Sequence, residues 1–309
     1  MILIKDKRAQ IFTLIAIVLI GFLFITFELF SVANQKNTVK DRISTMDDYL
    51  SAIEANLGRQ LYISGFRIIF LAEDHITRTG SYIDVNNFFN EAFFNGTVDG
   101  NASDILFGAK YSDLVNSINN KAEKINVDVA LNDYHIELSQ SDPWNVNFSL
   151  AANLTMTDKA NLARWERREV VSVFIPVIEF VDPIYIVNTN GKVSQKINRT
   201  IYDSDYVHGT DVSNLADHVN KRYYAANSLA PSFLKRLAGD LSSDPNGIES
   251  FVDIDYLSKQ GISVQSKSAV DYIYFSGNNP TSQQISGRPS WFRLDVAHLA
   301  VYNASHLSI

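Results

Sequence analysis

The spacing of apolar residues changes period along the chain, and each period predicts a different element. Ile11 to Phe27 (IFTLIAIVLIGFLFITF) is almost unbroken, with only Thr13, Gly21 and Thr26 interrupting it. At ~1.5 Å per helical residue, these 17 residues with Leu29, Phe30 and Val32 are long enough to cross a ~30 Å hydrocarbon layer. Candidate anchor residues are Ile11, Leu14, Ile17, Leu19, Phe22 and Phe24. Lys5, Lys7 and Arg8 precede the run, and the positive-inside tendency keeps them cytoplasmic and places the rest of the chain outside. The alternative is a cleaved secretory signal, but the run is long for a signal core and no A-x-A site follows it.

Beyond the span, Val39, Ile43, Met46, Leu50, Ile53 and Leu57 repeat at steps of 4, 3, 4, 3 and 4, the a/d spacing of a coiled coil. Leu61 breaks the register, and apolar residues then cover more than one face. This predicts a helix that leaves the membrane as a stalk and ends as the spine of a domain. The stripe either associates with a second copy or packs on its own domain. Short helices are expected at Asp84–Phe94, closed by Asn95-Gly96, and at Asp104–Lys124.

The period then falls to 2. Val127, Val129 and Leu131 alternate with polar or small residues up to an expected turn at Asn132-Asp133, and Tyr134, Ile136 and Leu138 form the next strand. Trp144, Val146, Phe148, Leu150, Ala152, Leu154 and Met156 share one face of a third strand. A fourth, Ala163–Val177, follows a turn at Asp158-Lys159. From Asp182-Pro183 the texture changes. A short strand at Ile184–Val187, a helix at Val212–Tyr224 capped by Asp211, and another at Pro231–Ala238 are expected.

The reading is an α+β protein. Residues 1–10 are a basic cytoplasmic leader, 11–30 a transmembrane helix, and 31–74 the stalk and spine. Residues 75–182 carry a four-stranded antiparallel meander packed on that spine, and 183–309 form a smaller α+β region.

Composition narrows the function. Three basic groups and Asp6 give residues 1–10 a charge of +2, so the net −7 of the 309-residue chain leaves −9 on the remainder. Such a body repels nucleic acid and anionic lipid headgroups. With no cysteine, disulfides, thiolate nucleophiles and Cys-ligated metals are excluded. Acceptor sequons stand at Asn95, Asn101, Asn147, Asn153, Asn198 and Asn303, and those at Asn147 and Asn153 fall on the polar face of their strand.

Catalytic motifs are few. None of His75, His135, His208, His218, His298 and His306 belongs to an HExxH or HxH signature. GxSxG is absent, and Ser232-Phe233-Leu234-Lys235 matches SxxK without a KTG, so Lys235 and Arg236 read as a solvated helix end. Asp253 and Asp255 have no evident carboxylate partner. Asp203, Asp205 and Asp211 offer oxygen ligands for calcium without EF-hand spacing, and Asp211 is equally explained as a helix cap.

Lys7-Arg8-Ala9-Gln10 followed by Ile11-Phe12-Thr13-Leu14 resembles the junction of a type IV prepilin. With the long helix and meander, the chain is similar to archaeal pilin-like surface proteins with class III signal sequences. The resemblance implies cleavage between Ala9 and Gln10 by a prepilin peptidase, with the apolar helix retained. Pilins carry a glutamate five residues after the cut, where this chain has Leu14, and Glu28 lies too far along. The chain is also longer than most major pilins. The resemblance therefore implies a minor pilin, a tip subunit or an anchored surface protein. Asp182–Tyr185, Gly247–Ser250 and Asp271–Phe275 are similar to segments of archaeal membrane proteins without known activity. The expected function is non-enzymatic, in surface-structure assembly or adhesion. The alternative is an exported ligand-binding or sensory ectodomain working with a membrane partner.

Overall fold

A computed structural model describes residues 7–202 and 204–309, with the helix but not the side chains at residues 7–10. Helix α1 (Lys7–Thr79) runs without interruption for 73 residues, about 110 Å at the usual helical rise. Its first half is long and apolar enough to cross a membrane, and the span lies bare of the rest of the chain. The helix continues past residue 74 and stops at Gly80, which takes φ +66 and donates its N–H to the Ile76 carbonyl. A left-handed residue just past the last turn is a common helix stop, and glycine adopts it without steric cost.

The second half of α1 is the spine. Met46, Leu50, Ile53, Leu57 and Leu61 are buried in the chain's own core, followed by Ile68, Ile69, Ala72 and Ile76. The 4-3-4-3 stripe is therefore covered from Met46 onward by the same molecule and offers no seam there. Of its other members, Val39 is half-buried and Ile43 is 40% exposed.

Beyond the spine come α2 (Val85–Asn90), capped by Asp84, one π-helical turn (Glu91–Asn95), a hairpin of β1 (Thr97–Val98) and β2 (Asn101–Ala102), and α3 (Tyr111–Ala122). The helix expected from Asp104 begins only at Tyr111, because Gly108 at φ +74 breaks the chain after one 3₁₀ turn.

The main sheet has three strands, β3 (Val127–Asp142), β4 (Asn145–Asp158) and β5 (Arg164–Pro176), in that order and antiparallel. Four were expected. Asn132-Asp133 is a bulge rather than a turn. Asn132 pairs with Asn153 and His135 with Ala151, so Asp133 and Tyr134 together stand opposite Ala152. Asp133 takes φ +49 and its carboxylate accepts from Asn153 Nδ2 at 2.9 Å. The extra residue switches parity, so Val127, Val129 and Leu131 before it and Ile136 and Leu138 after it all face the helices. The apolar face of β4 is buried from Val146 to Met156.

The chain continues as α4 (Pro183–Asn188), β6 (Asn198–Arg199), α5 (Ser213–Asn220), β7 (Tyr223–Ala226), α6 (Phe233–Ala238) and β8 (Ile248–Ser250). It ends with α7 (Ile254–Lys259), α8 (Asp271–Tyr274), β9 (Ser282–Gln284), β10 (Arg293–Asp295) and α9 (Val296–Val301). Strands β6, β7 and β8 form one small sheet and β9 with β10 another. Ile184–Val187 is helical, not a strand. Pro183 opens α4 with its φ already set, and Asp182 Oδ1 accepts the Ile184 N–H at 3.0 Å. The helix expected to reach Tyr224 ends at Asn220, since Arg222 at φ +56 turns the chain into β7. The main core crosses Asp182 and includes Ile186, Ile197, Tyr224, Phe233, Leu237 and Ile248, so the C-terminal region is built onto the spine and sheet.

Candidate functional site

Charged chemistry concentrates where Asp182–Tyr185, Gly247–Ser250 and Asp271–Phe275 converge on α6. Arg236 is the hub. Its Nη1 donates to Asp182 Oδ2 at 2.5 Å and to Asp271 Oδ2 at 2.9 Å, and its Nη2 donates to Asp271 Oδ1 and the Ile248 carbonyl. All three side chains are fully buried. Asp271 also accepts the N–H and hydroxyl of Ser250, and Asp182 accepts the Tyr224 hydroxyl at 2.8 Å. Desolvation raises the Asp271 carboxyl above its ordinary pKa, with Arg236 acting against it. Burial opposes the Arg236 charge, but the two aspartates outweigh it and hold the guanidinium ionised.

A second group lies beside the first. His298 contacts Asp295 Oδ2 through Nδ1 at 2.8 Å and Glu249 Oε2 through Nε2 at 3.1 Å. The Tyr302 hydroxyl donates to Glu249 Oε1 at 2.5 Å, and Ser268 donates to Asp295 at 2.8 Å. Burial works against the His298 charge, but hydrogen bonds and attraction from Asp295 and Glu249 lift its pKa to about 10. The imidazolium thus lies between two carboxylates, and the polar side-chain atoms of both groups are partnered. Saturated in this way and enclosed, they tie α4, α6, β8, α8 and α9 together.

The opposite end of the molecule faces the apolar half of α1. Arg42 Nε donates to Asp158 Oδ1 at 2.8 Å, and its Nη2 reaches the Ile125 carbonyl at 2.8 Å. This fastens α1 to the lower edge of the sheet. Asp158 also accepts the N–H groups of Ala160 and Leu162, which shapes the β4–β5 turn. Between that turn and α1 lies an open groove of about 570 Å³, with Leu162 on one side and Phe27 to Val39 on the other.

The residues expected from sequence are scattered. Ala9 and Gln10 lie in the opening turns of α1. Ile11, Leu14, Ile17, Leu19, Phe22 and Phe24 are all exposed. Asn95, Asn101 and Asn303 are exposed, whereas Asn147, Asn153 and Asn198 are half-buried. Nδ2 of Asn147 is bonded to Ser139 and that of Asn153 to Asp133. Asp203 lies outside the described residues. Asp205 pairs with His208 at 2.7 Å, while Asp211 accepts the Ser213 N–H. Among the described residues, no group of three or more acidic or histidine side chains is placed to hold a metal.

Sequence reasoning missed Arg236, which is wholly buried rather than at a solvated helix end. Nothing local betrays it, since its aspartates lie 54 and 35 residues away in the chain. Ser232 and Lys235 of the SxxK match point to Asp244 and Ser242 respectively, not to each other. Compared with known proteins, the chain matches no family model, no curated protein and no solved structure.

Proposed function

We propose that this chain is a single-pass, extracytoplasmic, non-enzymatic surface protein with a pilin-like plan, serving surface-structure assembly or adhesion. The observation that carries the reading is α1 itself. One unbroken helix bears a bare apolar stretch from Ile11 to Phe30 and then, from Met46, becomes the buried spine of a three-stranded antiparallel sheet. A helix that is apolar all round and left uncovered needs hydrocarbon or other helices around it. The acidic body beyond it suits hydration at an outer surface. The converging charges support a rigid body.

Mapping the N-terminus of the mature protein by mass spectrometry, with and without the host prepilin peptidase, tests the reading. A mature chain starting at Gln10 only when the peptidase is present is the expected result. A chain still starting at Met1 in its presence overturns the pilin-like part.

A further inference from the structure

We propose that the β4–β5 turn, Lys159–Ala163, is a second contact with the bilayer, its Leu162 resting in the outer headgroup layer with a phospholipid in the groove beside α1. This rests on the reading of α1 as a membrane span. The occupant follows from how the groove is built. Its lower end is walled by Phe27 and Phe30, the last aromatics of the apolar run, and its upper wall by Ser31, Asn34, Gln35 and Thr38, with the apolar Val39 beyond them. Apolar below and mainly amide- and hydroxyl-lined above, up to Val39, it matches the order of a lipid from acyl chain to headgroup.

The height of the turn agrees. Arg42, which fastens the sheet to α1, stands 12 residues beyond Phe30, or ~18 Å along the helix. The headgroup layer occupies about 5–7 Å on each side of the hydrocarbon. The turn hangs from this fastening toward the span, because Leu162 closes a groove that reaches down to Phe27. Leu162 is 42% exposed although its N–H is tied back to Asp158. An apolar side chain is thus held out on a braced turn, on the side of the fastening that faces the span.

Charge is also favourable. The charged residues between Phe27 and Lys40 are Glu28, Lys36 and Lys40. Lys36 and Lys40 are exposed and lie ~9 and ~15 Å above Phe30 along the helix, within reach of phosphate for a long, flexible ammonium. Two contacts, span and turn, would hold the body at a fixed tilt rather than let it swing on α1.

Because the chain has no native cysteine, a single nitroxide can be placed at will. The full-length protein carrying Leu162→Cys, and separately Lys159→Cys, is reconstituted in phosphatidylcholine vesicles, with Phe22→Cys and Ser243→Cys as references. Oxygen and nickel-chelate collision rates then report depth. A several-fold higher oxygen-to-nickel ratio at 162 and 159 than at 243, below that at 22, supports the contact. Ratios at 162 and 159 equal to that at 243, with 22 lipid-exposed, overturn it while leaving the span intact. A water-exposed label at 22 instead overturns the span. Dipolar broadening between labels at 162 would put a second copy in the groove, and also overturns the proposal.

Discussion

Arg236 and Asp271 meet through two hydrogen-bonding nitrogens and both carboxylate oxygens, with neither side chain open to water. Two buried charges in contact cost desolvation that only their mutual geometry offsets, so removing one is worse than removing all. Arg236→Met should destabilise the protein by about 3–5 kcal/mol, because Asp182 and Asp271 are left uncompensated. Adding Asp182→Asn and Asp271→Asn should restore much of the loss. Urea unfolding of the full-length chain in detergent, followed by tyrosine and tryptophan fluorescence, measures both.

Glu73 and His218 contribute to opposite limbs of the pH profile, and His298, raised to about 10, adds to the alkaline one. Burial raises the Glu73 carboxyl to about 8, the Val181 N–H opposing, and its Oε1 has no hydrogen-bond partner. A folded pKa above the unfolded one means stability that is complete below the ordinary carboxyl range and lost as pH rises through about 8. Burial lowers His218 to about 4, with Glu249 and Asp217 opposing. Its contribution is complete above the ordinary histidine range and disappears as pH falls through about 4. Glu73→Gln should remove the loss around pH 8, keep the His298 loss toward pH 10, and leave the acid limb unchanged in thermal melts across pH.

At Gly65, α1 packs directly against the sheet. A Cβ there would fall against Ile175 and within 2.7 Å of Phe148. Gly65→Ala should therefore cost about 1–3 kcal/mol through overpacking, although alanine favours the helix. Gly21, with nothing near it, should accept alanine without loss in the same urea titration.

Deleting Tyr134 would remove the bulge that reconciles the two halves of β3. Ile136 and Leu138 would then turn outward, or the first half of the strand would. The Tyr134 ring also packs on Tyr111 at 4.2 Å and Phe94 at 5.2 Å. The deletion should abolish cooperative unfolding, whereas Tyr134→Phe should keep it.

If the sequons are used, exposure should rank them. Asn95, Asn101 and Asn303 should carry more glycan than Asn147, whose amide is engaged by Ser139. Glycopeptide mass spectrometry from a glycosylating host reads occupancy site by site.

What could be read from the sequence was what repeats within a few residues. The apolar run of α1 and the alternation of β4 carry many concordant positions, so both elements stand where the pattern puts them. Asn132-Asp133 misled because the same residues suit a hairpin turn and a bulge, and only pairing with Asn153 and Ala151 distinguishes the two. Ile184–Val187 misled because β-branched residues favour strands, while Asp182 and Pro183 start a helix. The Arg236 hub was out of reach, since a buried ion pair depends on partners brought together only by folding.

The proposed function requires α1 to cross the membrane with the body outside. Ser243, exposed near the far end of the body, can be changed to cysteine in a chain that otherwise has none. A membrane-impermeant maleimide applied to intact cells should label that cysteine fully without lysis. Labelling that appears only after permeabilisation would contradict the account.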